Sequence, residues 1–145
     1  MPVLFFWTRE FYEADMYGPG SITECFYSPH KTLHRAKPDD TVWAFTRNSA
    51  DVYVLAARLE VERRIGPFEG TTRPYGVVGK PGVAYFRTSP GASSVEDMVR
   101  NELGVRARRH PLGMSFEGPN HVRRLPDFAQ SVLEDFVERH RLPEQ

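Results

Sequence analysis

Cys25 is the only thiol in the chain, and five histidines, His30, His34, His110, His121 and His140, are its possible bases. Thiolate catalysis needs one of them within hydrogen-bond reach and a third group to orient it. No local signature fixes that geometry, so the expectation for Cys25 is a buried, inert thiol. A single cysteine also excludes an intramolecular disulfide and any cysteine-rich zinc site. His30 and His34 stand four apart and would share one face of a helix. No glutamate follows His30, so the zincin pattern is absent, and no metal site is expected. The run Tyr75-Gly76-Val77-Val78-Gly79-Lys80-Pro81-Gly82 invites a phosphate-cradle reading. A P-loop needs glycine five residues before its Gly-Lys pair and a hydroxyl residue after it. Pro74 and Pro81 occupy those two places, so the run reads as turn chemistry. The nineteen acidic residues are scattered, with no pair at a hydrolytic spacing.

The aromatic residues carry the strongest chemical signal. Phe5, Trp7, Phe26, Tyr27, Trp43, Phe45, Tyr75, Tyr85, Phe86 and Phe116 are many for the core of so small a chain. Tyr27 precedes Ser28-Pro29, Tyr75 lies in a glycine- and proline-rich stretch, and Phe116 precedes Glu117-Gly118-Pro119. Aromatic faces beside polar hydrogen-bonders suit a pocket for a flat ring: stacking supplies affinity and edge hydrogen bonds supply identity.

The elements that must position these residues are centred on Asp40 to Arg64. Thr41-Val42-Trp43-Ala44-Phe45-Thr46 reads as a strand, with Trp43 and Phe45 on one face and Val42, Ala44 and Thr46 on the other. Asn48-Ser49-Ala50-Asp51 supplies turn residues. Val52 to Arg64 reads as a second, long strand, with Tyr53, Leu55, Ala57, Leu59 and Val61 on one face. Val3 to Thr8 predicts a first strand, Glu10 to Tyr17 a short helix stopped by Gly18-Pro19-Gly20, and Ser21 to Tyr27 a brief extended run or turn. Pro29 to Ala36 predicts a helical turn, and Lys37-Pro38-Asp39-Asp40 a turn. Ile65 to Gly82 is a long irregular stretch with a short strand at Val77-Val78. Val83 to Thr88 reads as a strand, Val95 to Leu103 as a helix capped by Ser94 and stopped by Gly104, and Val105 to Arg109 as an edge strand. Leu112 to Gly118 reads as a short strand or loop. From Pro126 a last helix presents Phe128, Val132, Leu133, Phe136 and Val137 as a packing stripe. The expected architecture is one α+β domain over residues 1–145: a curved antiparallel sheet or small β-barrel with about three short helices.

Composition narrows the partners. Lysines plus arginines equal aspartates plus glutamates at 19 each, which argues against nonspecific coating of nucleic acid but not against a pocket for one nucleotide. Apolar content of 40% and a mean hydropathy of −0.49 give no membrane span. The apolar start lacks a signal peptide's basic region and cleavage site, so a cytoplasmic location is the default expectation.

Phe6-Trp7-Thr8-Arg9-Glu10 resembles the opening of EVE domains, a branch of the PUA-like superfamily, where an aromatic-Trp pair ends the first strand. Tyr27-Ser28, the turn His30 to Ala36, Lys37-Pro38-Asp39-Asp40 and Val42 to Thr46 resemble the next EVE segment, and Tyr53 to Val61 the strand after it. The similarity covers residues 3–64. Phe11, Asp39 and Thr46-Arg47 depart from the family's usual proline, glycine and Tyr-His-like ending. The resemblance implies a PUA-like fold and a non-catalytic module that reads a modified or flipped base in DNA or RNA through an aromatic cage. It makes Trp7, Trp43 and Phe45 cage candidates and Tyr27, Ser28 and Thr46 edge-reading candidates. Arg73 and Tyr75 would close over the ligand, and Arg106, Arg108 and Arg109 would hold phosphates. No cofactor is implied. A small nuclease or hydrolase on a PUA-like barrel and a protein-interaction domain are the alternative readings.

Overall fold

The computed structural model describes residues 1–18, 24–140 and 142. Seven strands form one strongly curled sheet, a half-barrel: β1 (Pro2–Phe6), β2 (Cys25–Ser28), β3 (Thr41–Arg47), β4 (Tyr53–Ile65), β5 (Tyr75–Gly79), β6 (Ala84–Tyr85) and β7 (Val122–Arg124). Their order is β2-β5-β4-β3-β1-β7, with β6 also on β4. The described residues also form three α-helices, α1 (Arg9–Tyr17), α2 (Glu96–Asn101) and α3 (Phe128–Arg139), and 3-10 turns at Lys31–Arg35, Leu112–Phe116 and Gly118–His121. Among the described residues no helix is long and apolar enough to cross a membrane.

The sheet is mixed, not purely antiparallel, because β1 pairs with β3 in parallel. The chain between them passes through α1, β2 and a 3-10 turn, long enough for the crossover that a parallel pair needs. The β3–β4 hairpin forms as expected. Asn48 Oδ1 accepts bonds from the Ala50 and Val52 amides, both at 3.0 Å, and Asp51 takes φ 61°. An acceptor at that place lets a short side chain hold the reversal.

The alternation along β4 does not run as the sequence suggests. Ala44 pairs with Ala57 and Phe45 with Leu55, which leaves Ala56 as the extra residue of a bulge. A bulge moves every following side chain to the other face. Tyr53 and Leu55 therefore join one core, and Ala57, Leu59 and Val61 the other. The first core lies between the sheet and helices α2 and α3, where Trp43, Phe45, Met98, Val99, Leu133 and Phe136 meet. The second fills the concave side: Phe26 and Val122, from the two outermost strands, converge there with Phe5, Trp7, Leu33 and Val42.

Other expectations shift. Val105 to Arg109 is irregular, and the strand on that side is β7. The Arg109 amide bonds the Ser115 hydroxyl at 2.9 Å instead of a strand neighbour. The strand expected over Val83 to Thr88 shortens to Ala84–Tyr85, and Leu112 to Gly118 coils into 3-10 turns. Helix α2 is Glu96–Asn101, with Ser94 Oγ accepting from the Glu96 amide. Phe128, assigned to packing, is 56% exposed. Of the residues expected to stop α1 and begin β2, 19–23 lie outside the described residues.

Candidate functional site

The curled sheet leaves its two edge strands, β2 and β7, close together. Ser28, the last residue of β2, meets His121, just before β7: Ser28 Oγ lies 2.8 Å from His121 Nε2. The His121 Nδ1 atom is 2.7 Å from the Gly118 carbonyl. A carbonyl only accepts, so Nδ1 carries the proton and Nε2 takes the hydroxyl proton of Ser28. Ser28 Oγ in turn accepts from the His30 amide at 2.8 Å. This chain of bonds latches one edge of the half-barrel to the other.

Burial holds His121 below the ordinary histidine range of 6.5, and the nearby His30 adds to this; the Gly118 carbonyl pulls the other way. The sign follows. An unfolded chain binds the His121 proton more readily than the folded one, so folding stability should fall as pH drops through about 6.5, then level off below the folded value. A urea-unfolding series from about pH 7 to 5 should show that slope, and His121→Gln should flatten it. An unchanged slope in His121→Gln would assign the effect to another group.

Beside the latch lies a cavity of about 240 Å³ at the end of β1. Six aromatic side chains wall it: Phe5, Phe6 and Trp7 from β1 and its exit, Phe11 from α1, Tyr27 from β2, and Phe116. Thr8, Pro29, His30, Gly113, Glu117, Gly118 and His121 complete the lining. The volume sits below the roughly 300–1,000 Å³ of drug-sized sites and suits a small ring. Phe5 stacks on Phe26, and the Trp7 and Tyr12 rings meet at 87°. The packing fixes the walls before any ligand arrives.

Two of those walls are anchored by one ion pair. Trp7 Nε1 donates to Asp15 Oδ2 at 2.9 Å, and Arg73 donates to both Asp15 oxygens at 2.6 and 2.5 Å. The Arg73 guanidinium also lies over the Phe11 ring, 4.3 Å from its centroid. Gly113 permits a close approach on the opposite side: its amide donates to Tyr53 Oη at 2.8 Å, and a Cβ there would stand 3.1 Å from the Phe6 ring.

Of the sequence-assigned site residues, Trp7 and Tyr27 line the cavity, and Ser28 lies behind it, fully buried, orienting His121. Trp43 and Phe45 are corrected: both are 0% exposed in the helix-covered core. Their face of β3 looks at α3, where Trp43 Nε1 donates to Gln130 Oε1 at 3.0 Å. Phe45 touches the site only through its contacts with Phe6 and Phe116. Thr46 is also fully buried, outside the cavity lining, and its hydroxyl has no partner among the described residues. Arg73 is a buttress and not a lid. Tyr75 meets the His34 ring edge-on, because His34 Nε2 is fixed by the Ile65 and Gly76 carbonyls. Arg106, Arg108 and Arg109 are exposed on an irregular loop and do not line the cavity.

Sequence reasoning missed Phe6, Phe11, Glu117 and His121 as site residues. Phe116-Glu117-Gly118, an aromatic and an acid before a glycine-proline turn, is the signal that could have found two of their neighbourhood. Burial raises the Cys25 thiol above its ordinary range, away from thiolate chemistry. Among the described residues no three His, Cys, Asp or Glu side chains gather as metal ligands.

A shallower depression adjoins the cavity and shares Phe6, Gly113 and Glu117 with it. Arg9 and Arg47 lie there, with Arg9 bonded to the Arg47 and Asn48 carbonyls and to Asp51. Comparison of the chain with protein-family models, with curated proteins and with solved structures finds no match.

Proposed function

We propose that the chain is a non-catalytic binding module that takes a modified or flipped-out nucleobase of DNA or RNA into the aromatic cavity. The observation that carries this reading is the wall of six aromatic side chains around a small, ring-sized space. Base–aromatic stacking is worth about 1–3 kcal/mol per base and tolerates any base with a π-face. Two polar groups of the lining, the His30 ring and the Glu117 carboxylate, would meet the edge of a ring; both His121 nitrogens are taken by Ser28 and the Gly118 carbonyl. The resemblance of residues 3–64 to EVE domains, and so to the PUA-like superfamily, supports the same reading. Backbone phosphates would meet Arg9 and Arg47, which adjoin the cavity, ahead of the exposed Arg106, Arg108 and Arg109.

The hydrolase alternative has one suggestive feature, the Ser28–His121 pair. Ser28 is 0% exposed and does not line the cavity, so its hydroxyl has no path to a substrate there. The pair reads better as a structural latch.

Calorimetric titration with nucleosides and short single-stranded oligonucleotides carrying plain and modified bases tests the assignment. Binding of one base class should show a shallow salt slope, because a pocket and not a run of phosphates supplies the affinity. Tyr27→Ala should weaken it by about 1–3 kcal/mol, or roughly 5- to 150-fold. Undiminished affinity in a folded Tyr27→Ala protein would remove the cavity as the site. Capture of a partner protein with no affinity for nucleosides would favour the interaction-domain reading instead.

A further inference from the structure

We propose that the base accepted by this cavity carries a positive charge: a ring-nitrogen-methylated, cationic purine or pyrimidine. This rests on the base-binding reading above and adds the electrostatic class of the ligand. The walls are aromatic, and the face of an aromatic ring carries the negative end of its quadrupole. Among the described residues no lysine or arginine lines the cavity. The one residue of the lining with a formal charge at neutral pH, histidines aside, is Glu117, which is exposed at the rim. Its carboxylate has no hydrogen bond or ion pair among the described residues; only its backbone carbonyl is engaged there, accepting from the Asn120 amide.

His121 does not offset the Glu117 charge. It is buried, which lowers its affinity for a second proton; its Nε2 accepts from Ser28 and its Nδ1 proton is committed to the Gly118 carbonyl. Arg73, the nearest buttressing cation, is matched by the Asp15 carboxylate. The lining therefore offers aromatic rings and one carboxylate, with no cationic lysine or arginine side chain among the described residues. A neutral ring gains only stacking in such a place, whereas a cationic ring adds a cation–π attraction to the walls and a charge pair with Glu117. The neighbouring depression holds Arg9 and Arg47, two guanidinium groups that share one Asp51 carboxylate, beside Glu117. A slot of aromatic rings and one carboxylate next to two guanidinium groups matches a cationic base on an anionic backbone. It matches a methylated lysine less well, since that side chain brings no phosphate.

Two pairs of positional isomers test the charge while holding the heavy-atom count fixed: 1-methyladenosine against N6-methyladenosine, and 3-methylcytidine against 5-methylcytidine. At neutral pH the first member of each pair is cationic and the second neutral. Calorimetry should show the cationic isomer binding about tenfold tighter or more in at least one pair. Glu117→Gln, at an exposed position, should leave the melting temperature unchanged and shrink that preference to about threefold or less. Equal affinity for both isomers would overturn the charge inference and leave the base-binding assignment standing. A preference undiminished in Glu117→Gln would also overturn it. Absence of binding by every nucleoside would defeat the base-binding assignment itself, and tight binding of trimethyl-lysine alone would replace it with a methylammonium cage.

Discussion

Arg73→Met should destabilise the fold by about 3–5 kcal/mol in urea unfolding, the range for removing one partner of a buried ion pair. Asp15 is a buried acid: its side chain is 7% exposed, against 16% for Arg73. Two guanidinium bonds and the Trp7 indole bond satisfy its carboxylate. With Arg73 gone, a charge stays buried with only one strong donor. The double variant Asp15→Asn with Arg73→Met should recover a substantial part of the loss, because the amide is neutral and its oxygen still accepts from Trp7. Ligand affinity should fall in Arg73→Met as well, since Trp7 and Phe11 both lean on this pair. A loss of less than about 1 kcal/mol would mean that the pair behaves as a solvated surface bridge.

Trp43→Ala should be at least as damaging, at about 3–5 kcal/mol. The ring is 0% exposed, lies under the Arg58 guanidinium at 5.6 Å, and reaches Gln130 on α3. Truncation removes a large apolar surface and leaves a cavity that the sheet and α3 close only partly. Trp43→Phe keeps most of that packing and should cost far less. Its ligand affinity should match the parent protein, because the ring does not line the cavity and its indole nitrogen reaches Gln130 on α3 instead. Lost affinity in a stably folded Trp43→Phe protein would restore Trp43 to the site.

The hairpin was legible because its signals are local. Alternating side chains, the Asn48 turn and the β-branched run from Val52 all act within a few residues. The stripe on α3 was legible for the same reason, though Phe128 fell outside the buried face. What no alternation rule contains is the bulge at Ala56. That one extra residue decides which core Ala57, Leu59 and Val61 enter. The pairing of β1 with β3 in parallel, and β7 as the strand beside β1, likewise depend on contacts distant in sequence.

The site was half legible on similar grounds. Tyr27 is reachable as an aromatic beside a chain reversal, and Trp7 through the resemblance to EVE domains. Trp43 and Phe45 looked equivalent to them in sequence, and only the position of α3 shows that their face is covered. Asp15 and Arg73 are 58 residues apart, and Ser28 and His121 are 93 apart. Nothing local marks either pair as partners. Arg73 was noticed for its place in a long loop, but its role as a buttress follows from Asp15 being buried.

The most direct test of the binding assignment uses the two tryptophans. In Trp43→Phe, Trp7 is the sole indole and forms part of the cavity wall. Titration with modified nucleosides and oligonucleotides should then change Trp7 emission saturably, with the same dissociation constant that calorimetry gives, and Tyr27→Ala in that background should shift the curve to weaker binding. Saturable binding by calorimetry with Trp7 emission unmoved would place the ligand elsewhere on the molecule and contradict the account.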